Sequence, residues 1–488
     1  MMEWIIIVLY SLSLLYVFLF SMGQLHLTWV YARRKKDGKE ESHAVENENL
    51  PMVTVQLPVY NEKYVVERLI EAVSRFTYPK DKLEIQILDD STDETTQIIE
   101  KKIESLRPMG LDIKLIHREN RLGYKAGALD YGTQCAKGEF IAIFDADFKP
   151  HPGFLLDTVP HFKDKAIGVV QTRWGHLNKD YSILTRLQAF GLDAHFSIEQ
   201  SARNISGSFI NFNGTCGVWR KSCIQDAGGW NFDTLTEDLD LSYRAQLKGW
   251  NFKYLEDIET PGELPVIMQA IKSQQYRWNK GGAETARKNF KNVLLSGLSL
   301  KNKIHAFFHL FNSSVFVCLL MAAVLSVPML YIKSRHPQIE WLFNLGIVFL
   351  AGFFSITIFY WVAAKRFYSP NASKAFFFLY PRFLVISMGL SLHNGLAVVE
   401  GLIGRKTPFI RTPKFNVTFK GDSWKGNEYV RGRVGLITWF EGLLCLYFLF
   451  GIAFGIYLSD GGLLFFHVLL ALGFGGVFYY SVKRVVHA

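Results

Sequence analysis

At 488 residues, with 49% hydrophobic and 15% aromatic side chains, the chain is high in apolar content for a purely soluble protein and has room for an ordinary globular domain beside a membrane portion. The formal charge of +10 gathers next to apolar segments, in YARRKK (31–36), AAKRF (363–367), GRKTPFIRTPK (404–414) and VKR (482–484). That is the positive-inside pattern of a membrane protein and argues against a nucleic-acid partner.

The first thirty residues lack a basic n-region and carry an apolar run longer than a signal-peptide core, so residues 1–32 are expected to be a retained anchor. With RRKK following, the anchor should run from outside to cytosol. Residues 33–50 are polar and charged and read as a solvated linker. Five cysteines, Cys135, Cys216, Cys223, Cys318 and Cys445, include no CxxC pair, which speaks against a disulfide framework or zinc site and suits a reducing cytosol.

Residues 51–300 are expected to form a cytosolic domain. Short apolar strands alternate with helical patterns: MVTVQLPVY then KYVVERLIEAVSRF, LEIQILDD then a helix near S-T-D-E (91–94), IKLIHR then KAGALDYGTQCA, FIAIFDAD then HPGFLLD. Such alternation predicts βαβ units, an α/β fold and a mainly parallel sheet. Each strand reads as apolar until its end, which carries YNE (60–62), DD (89–90) or DAD (145–147). The carboxyl ends of strands line the ligand crevice in such sheets, so these acids are expected to converge there.

The chemistry of each motif has a plain alternative. Asp145 and Asp147, two carboxylates at i and i+2, suit a hard divalent cation such as Mg²⁺ or Mn²⁺ shared with a diphosphate; they also suit a turn or helix cap. Asp89 and Asp90 suit hydrogen bonds to a base or ribose, or the start of the next helix. Tyr60 offers a ring for a nucleobase, and Lys125 a charge for a diphosphate at a helix start. Glu237, Asp238 and Asp240 open a helix in TLTEDLDLSYRAQLKGW (234–250), either as first-turn acids or with Asp238 as a general base. In QQYRW (274–278), Gln274, Arg277 and Trp278 fall on one helix face, as in a headgroup anchor or a binding floor.

From about residue 301 a membrane domain is expected, with spans near 305–331, 340–363, 435–458 and 461–481. Residues 376–403 contain Pro381, Arg382, His393, Asn394 and Glu400 between basic flanks, and read as an interfacial or re-entrant helix. One anchor and four spans make about five transmembrane helices.

Taken in order, YNE, DD, DAD, TED and QxxRW resemble the motifs of processive family 2 glycosyltransferases of the cellulose and mannan synthase type. FNGTCGVWR (212–220) is similar to a stretch of plant mannan synthase-like enzymes, and FNVTFKG (415–421) to the gating loop of cellulose synthases. The resemblance implies a GT-A nucleotide-diphospho-sugar domain that adds sugar from a UDP- or GDP-sugar to a β-linked polysaccharide and translocates the product. It implies that Tyr60, Glu62, Asp89, Asp90, Lys125, Asp145 and Arg277 bind the donor and that Asp145 and Asp147 hold Mg²⁺ or Mn²⁺. Asp238 would be the catalytic base. Gln274, Trp278 and Glu237 would meet the acceptor, and Phe415, Val417, Thr418 and Lys420 would form the gate, with Thr418 and Lys420 as its donor contacts. FNGT departs from the FFCGS pattern of bacterial cellulose synthases, which leaves the acceptor open. The alternative is a non-processive enzyme that glycosylates a membrane lipid.

Overall fold

The computed structural model describes residues 1–34, 50–339, 348–423, 427–429 and 434–483. Most of the expected linker 33–50 and residues 340–347 of one expected span lie outside them. The globular part is built on seven strands: β1 Val53–Val59, β2 Leu83–Asp89, β3 Asp112–His117, β4 Phe140–Ile143, β5 Ile167–His176, β6 Gly217–Arg220 and β7 Asn251–Gly262. Their order in the sheet is β3-β2-β1-β4-β6-β5-β7. The first four pair in parallel, as expected of βαβ units, and β5 pairs in parallel with β7. Only β6, inserted between β4 and β5, runs antiparallel to both. The fold is the expected GT-A-like mixed sheet with mostly parallel strands.

Val53, Val55, Leu57, Ile85, Ile87 and Ala142 are fully buried against helices that return over the sheet. The strands are not apolar to their ends, however. Thr54, Gln56, Glu84 and Gln86 are also buried, in the middle of β1 and β2. Thr54 Oγ1 donates to Glu84 Oε2 at 2.7 Å, Gln56 Nε2 donates to Gln86 Oε1 at 3.1 Å, and Lys114 Nζ pairs with Glu84 Oε1 at 2.6 Å. Register between these strands thereby carries a polar code, because a slip would strand each group without a partner.

Among the described residues, five helices are long and apolar enough to cross a membrane: Met2–Arg33, Ser314–Arg335, Val348–Phe367, Leu436–Tyr457 and Leu464–Val482. The chain is an integral membrane protein. The expected span 305–331 is divided: helix Leu300–Leu310 ends, the chain turns at 311–313, and the span proper begins at Ser314. The segment expected as an interfacial or re-entrant helix at 376–403 is a pair of helices, Ala372–Gly389 and Ser391–Ile403, bent by 51°.

The globular part is tied to the spans by charge. Glu256 on β7 accepts from Tyr31 and Ser201, each at 2.7 Å, and pairs with Arg34 and Arg366, so the ends of two apolar helices converge on one buried carboxylate. Arg366 also pairs with Asp257 at 2.5 Å. Helix Met268–Leu295, which carries QQYRW, is held to the last two spans by Lys272, 2.6 Å from Glu441 and 2.9 Å from Ser481.

Candidate active site

Parallel strands deliver their loops to one sheet edge, and the residues after β4 stand at its centre. Lys125 Nζ, from helix Tyr124–Cys135, pairs with Asp145 Oδ1 at 2.6 Å, lies 3.8 Å from Glu237 Oε1 and donates to Gly214 O at 2.8 Å. Lys414 Nζ pairs with Asp147 Oδ2 at 2.5 Å. Burial pulls the Lys125 ammonium down, but Asp145 and Glu237 outweigh it and hold its pKa above the ordinary lysine value. Lys125, Asp145, Asp147, Glu237, Asp238, Gln274, Arg277 and Trp278 all line one cavity, so residues spread over more than 150 positions of sequence are brought together.

The FNGTCG stretch builds the wall opposite Asp238. Gly214 adopts φ +77°, and a Cβ there would stand 3.0 Å from Asp238 Oδ2 and 3.4 Å from Lys125 Nζ, so the close approach of backbone to both groups requires glycine. Thr215 Oγ1 accepts from the Asp145 N–H at 2.9 Å, fixing the turn that presents the two aspartates.

Asp238 sits in the first turn of helix Glu237–Leu247, its Oδ1 accepting from the Leu239 N–H at 2.8 Å. Burial, and after it the charge of Glu237, push the Asp238 carboxyl up to about 7 against the pull of Lys125. Glu237 is raised in turn, first by burial. The helix is clamped to the QQYRW helix: Leu235 N donates to Glu284 Oε2 at 2.8 Å, Thr236 and Thr285 hydroxyls meet at 3.1 Å, and Asn289 and Lys288 hold Asp240 at 2.8 and 3.0 Å. A Cβ on Gly281 would fall 2.5 Å from Thr236 Cγ2, so the two helices meet at a glycine. Trp278 and Asp238 are thus parts of one rigid unit.

A strap without helix or strand, residues 405–420, crosses the site. Arg411 pairs with Glu62 at 2.5 Å, Thr412 Oγ1 accepts from Arg277 at 2.8 Å, and Phe409 stacks on Tyr124 and lies under the Arg277 guanidinium at 4.8 Å. Burial pushes the Glu62 carboxyl up to about 7 despite Arg411 and Lys414. Phe415 and Val417 are buried with Val266, Ile267 and Ala270, and the Phe415 N–H donates to Glu263 Oε1 at 2.9 Å. Thr418 turns away to Asp422, which accepts from its N–H at 2.7 Å, and Lys420 is exposed. In this arrangement the strap meets the site through Lys414, Arg411, Thr412 and Phe409.

The remaining expected residues lie on the same sheet edge outside the cavity wall. The Arg121 guanidinium stacks on Tyr60 at 3.3 Å, and Arg118 grips both oxygens of Asp90 at 2.7 and 2.6 Å. Asp89 is fully buried, accepting from Ser91 N at 3.0 Å and Thr96 Oγ1 at 2.7 Å and meeting His117 Nδ1 at 2.9 Å. With its oxygens so occupied, Asp89 fastens β2 to the next helix, while Arg118 ties Asp90 to the loop after β3.

The Asp145–Asp147 pair is chemically suited to a divalent cation. Both carboxylates already attract an ammonium group at contact distance. Among the described residues no cluster of three or more His, Cys, Asp or Glu side chains forms a closed metal cage. Two hard oxygen ligands with coordination positions left for diphosphate oxygens is the arrangement expected of Mg²⁺ or Mn²⁺ in a nucleotide site.

A second cavity, about 1210 Å³, opens from Asp238, Gln274 and Trp278 into the bundle of spans. Its wall runs past Gln24, Asn312 and Ser313 and then rings of Phe18, Phe353 and Phe383, to Lys333 and Asp460, which pair at 2.8 Å. Lys333 ends helix Ser314–Arg335 whereas Ser313 precedes it, so the cavity extends along the full length of that span.

Residues 54–225 match the model of Glycosyl transferase family 2, and residues 140–364 that of Glycosyl transferase family group 2. Among curated proteins of Oryza sativa subsp. japonica, Probable glucomannan 4-beta-mannosyltransferase 4 is 44% identical over 287 residues, covering 56% of this chain and 52% of the relative. Glucomannan 4-beta-mannosyltransferase 1 is 36% identical over 387 residues, covering 76% and 70%. The chain thus spans about half the length of the first and 70% of the second. The mannosyltransferase PcManGT from Pyrobaculum calidifontis, solved with GDP-Man and Mn²⁺, has a TM-score of 0.54 at 19% identity, covering 82% of this chain and all of that one, and shares the fold.

Proposed function

The chain belongs to the family 2 glycosyltransferases, and we propose that it transfers mannose from GDP-mannose, with inversion, to the 4-hydroxyl of a β-linked glycan of the glucomannan type. One observation carries the reading: Asp238, the Asp145–Asp147 pair and Trp278 share a cavity that opens directly into a second one running along the spans. The curated relatives are glucomannan 4-beta-mannosyltransferases, and the fold neighbour was solved with GDP-Man and Mn²⁺.

In this mechanism Trp278 stacks on the terminal sugar of the acceptor and Asp238 accepts the proton of its attacking hydroxyl. The new bond forms from that oxygen to the anomeric carbon, while the bond from that carbon to the phosphate oxygen breaks and the nucleotide diphosphate leaves with the electron pair. A base with a pKa near 7 is well matched to neutral pH. Asp145 and Asp147 are the residues that would hold Mg²⁺ or Mn²⁺, whose chemistry is to screen the diphosphate and the charge it gains as it leaves. Lys125, Arg277 and Lys414 surround the same space and add donors fixed in advance. Tyr60 and Asp90 would receive the base and ribose, and the strap 405–420 would close over the donor.

Arg34 and Arg366, at the ends of two spans, pair with acids of the globular part. This charge distribution supports a catalytic domain on the cytosolic side of the membrane; in this reading the membrane is the plasma membrane and the growing chain leaves through the second cavity. The test is donor selection. Purified protein in lipid nanodiscs, given GDP-mannose, UDP-glucose or UDP-N-acetylglucosamine with Mn²⁺, should release nucleotide diphosphate fastest from GDP-mannose and only when a glycan acceptor is present. Preference for a UDP-sugar would overturn the mannosyl assignment, and release that requires a lipid acceptor would favour the glycolipid alternative.

A further inference from the structure

Away from the reaction site, the first span and helix Leu300–Leu310 meet over a buried cation that the mechanism leaves unused. Helix Met2–Arg33 has 32 residues, about 48 Å at about 1.5 Å per residue, whereas a hydrocarbon layer is about 30 Å thick. Its apolar run begins at Trp4, so the surplus length falls at the end next to the globular part, among the headgroups. Trp29 is exposed there, with the Arg33 guanidinium 4.3 Å from its ring, as in an interfacial belt. Helix Leu300–Leu310 lies against these turns, the His26 and His305 rings being 5.1 Å apart. Asn302 fastens it to the turn after helix Gln200–Ile205, accepting from Ser208 Oγ and donating to Gly207 O, each at 3.1 Å.

Arg203, on helix Gln200–Ile205, lies beneath this junction and is only 2% exposed. Among the described residues it forms no ion pair, and its hydrogen bond to the His305 carbonyl is long, 3.4 Å. Glu199, one turn earlier, does not take that place. Burial pushes its carboxyl up, and His195 and then Arg203 hold it below the ordinary value, but its Oε2 meets His195 Nδ1 at 2.6 Å. A buried charge without a partner is strongly unfavourable, so a guanidinium left in this state points to an anion from outside the chain. His26 offers a second unfilled position, since its Nδ1 is buried with no hydrogen-bond partner. Lys301, on the exposed rim, adds a mobile ammonium. Burial and then Arg203 push the His305 imidazole down to about 4, with His26 and Lys301 adding to the effect, as expected where positive charge stands unbalanced.

A phosphate fits these donors: the guanidinium fork takes two oxygens, and an imidazole N–H and an ammonium take the rest. The surroundings choose between a free phosphate and a lipid headgroup. Trp29, Ile205, Leu300 and Ile304 are exposed large apolar side chains around the cluster, which a free ion would leave in water and acyl chains would cover. We infer that Arg203, His26, His305 and Lys301 hold the phosphate of an anionic phospholipid from the leaflet next to the globular part, its acyl chains lying against Trp29, Leu300 and Ile304. The site is independent of which sugar the protein transfers and of the acceptor.

The experiment titrates the full chain, stripped of lipid in detergent, with dioleoylphosphatidic acid or dioleoylphosphatidylcholine and counts bound lipid by native mass spectrometry. One phosphatidic acid should bind at a concentration about tenfold below that needed for phosphatidylcholine. Lys301→Glu should raise that concentration about tenfold, and Lys301→Arg should keep it within about twofold of native. Arg203→Gln should abolish the preference, and the exposed Lys301 variants carry the test if it does not fold. Lys365→Glu makes the same charge change at the end of helix Val348–Phe367, outside the cluster, and should alter phosphatidic acid binding by less than about twofold. No preference between the two lipids, or equal losses from Lys301→Glu and Lys365→Glu, overturns the site in favour of diffuse attraction to basic flanks. Displacement of the lipid by about 10 mM inorganic phosphate would mark a site for the free ion and overturn the lipid assignment.

Discussion

Replacing Asp238 by Asn removes the group that accepts the proton while preserving its shape. The amide oxygen can still accept from the Leu239 N–H, a bond of 2.8 Å in the native chain, so the first turn of helix Glu237–Leu247 should hold. A positioned base contributes about 10²–10⁴-fold, or about 3–5 kcal/mol of barrier, and kcat should fall by that factor. The native pH profile supplies a second reading. The Asp238 carboxyl is raised to about 7 and acts only when ionised, so the native rate should climb with pH and level off above 7, with about a tenth of the maximum at pH 6. The variant's residual rate should lack that limb. The raised pKa also means that the folded state binds a proton the unfolded state has released between about pH 4 and 7, so ionised Asp238 costs stability above that window. Asp238→Asn should therefore melt no lower than the native protein at pH 8. Initial rates from pH 5.5 to 8.5, donor binding by calorimetry and a melting curve cover these outcomes. A loss smaller than about tenfold, a surviving acid limb, or loss of donor binding would refute Asp238 as the base.

Lys414 occupies Asp147, so Lys414→Ala should lower the Mn²⁺ concentration needed for half-maximal binding in the absence of donor; an unchanged titration would show that the pair does not compete with the cation. Arg411→Ala leaves Glu62 buried without its partner and should destabilise the protein by about 3–5 kcal/mol where Glu62 is ionised. The sign follows from Glu62, whose pKa is raised to about 7: the melting-temperature deficit should be larger at pH 8 than at pH 5.5, and Glu62→Gln in the same chain should shrink it. Arg277→Lys keeps the charge but not the fork that reaches Thr412 while stacking on Phe409, and activity should fall by about tenfold or more; near-native rates would mean that charge alone suffices.

Much of this site is legible in the sequence because parallel strands obey a simple rule: their carboxyl ends share an edge. YNE, DD and DAD could be placed near one another for that reason, while the acceptor role of Gln274, Arg277 and Trp278 came from the resemblance, their one-faced spacing fitting a headgroup anchor as well as a binding floor. Asp89 and Asp90 read alike in sequence, yet Asp89 is held by Ser91, Thr96 and His117 whereas Asp90 is held by Arg118, partners that no spacing announces. The strap was hidden for a different reason. GRKTPFIRTPK has no periodicity and reads as membrane-flanking charge, yet Arg411 and Lys414 turn inward to Glu62 and Asp147. Its one available signal was position, since cations and a Phe bounded by prolines stand immediately before FNVTFKG. Arg203 carried no motif at all, because its meaning comes from His26 and His305, which two other helices bring near it. Likewise Glu84 and Gln86, unexpected inside a buried strand, make sense only beside Thr54 and Gln56.

The central claim is that one chain both extends a β-1,4-linked glycan and passes it along the spans. It is tested most directly by following radiolabel from GDP-mannose, in nanodiscs with Mn²⁺, into product sized over time and then digested with a β-1,4-mannanase. The account predicts ethanol-insoluble chains that lengthen as the reaction proceeds and collapse to short oligomers on digestion. A single labelled sugar recovered in organic solvent, resistant to the mannanase and never lengthening, would contradict it.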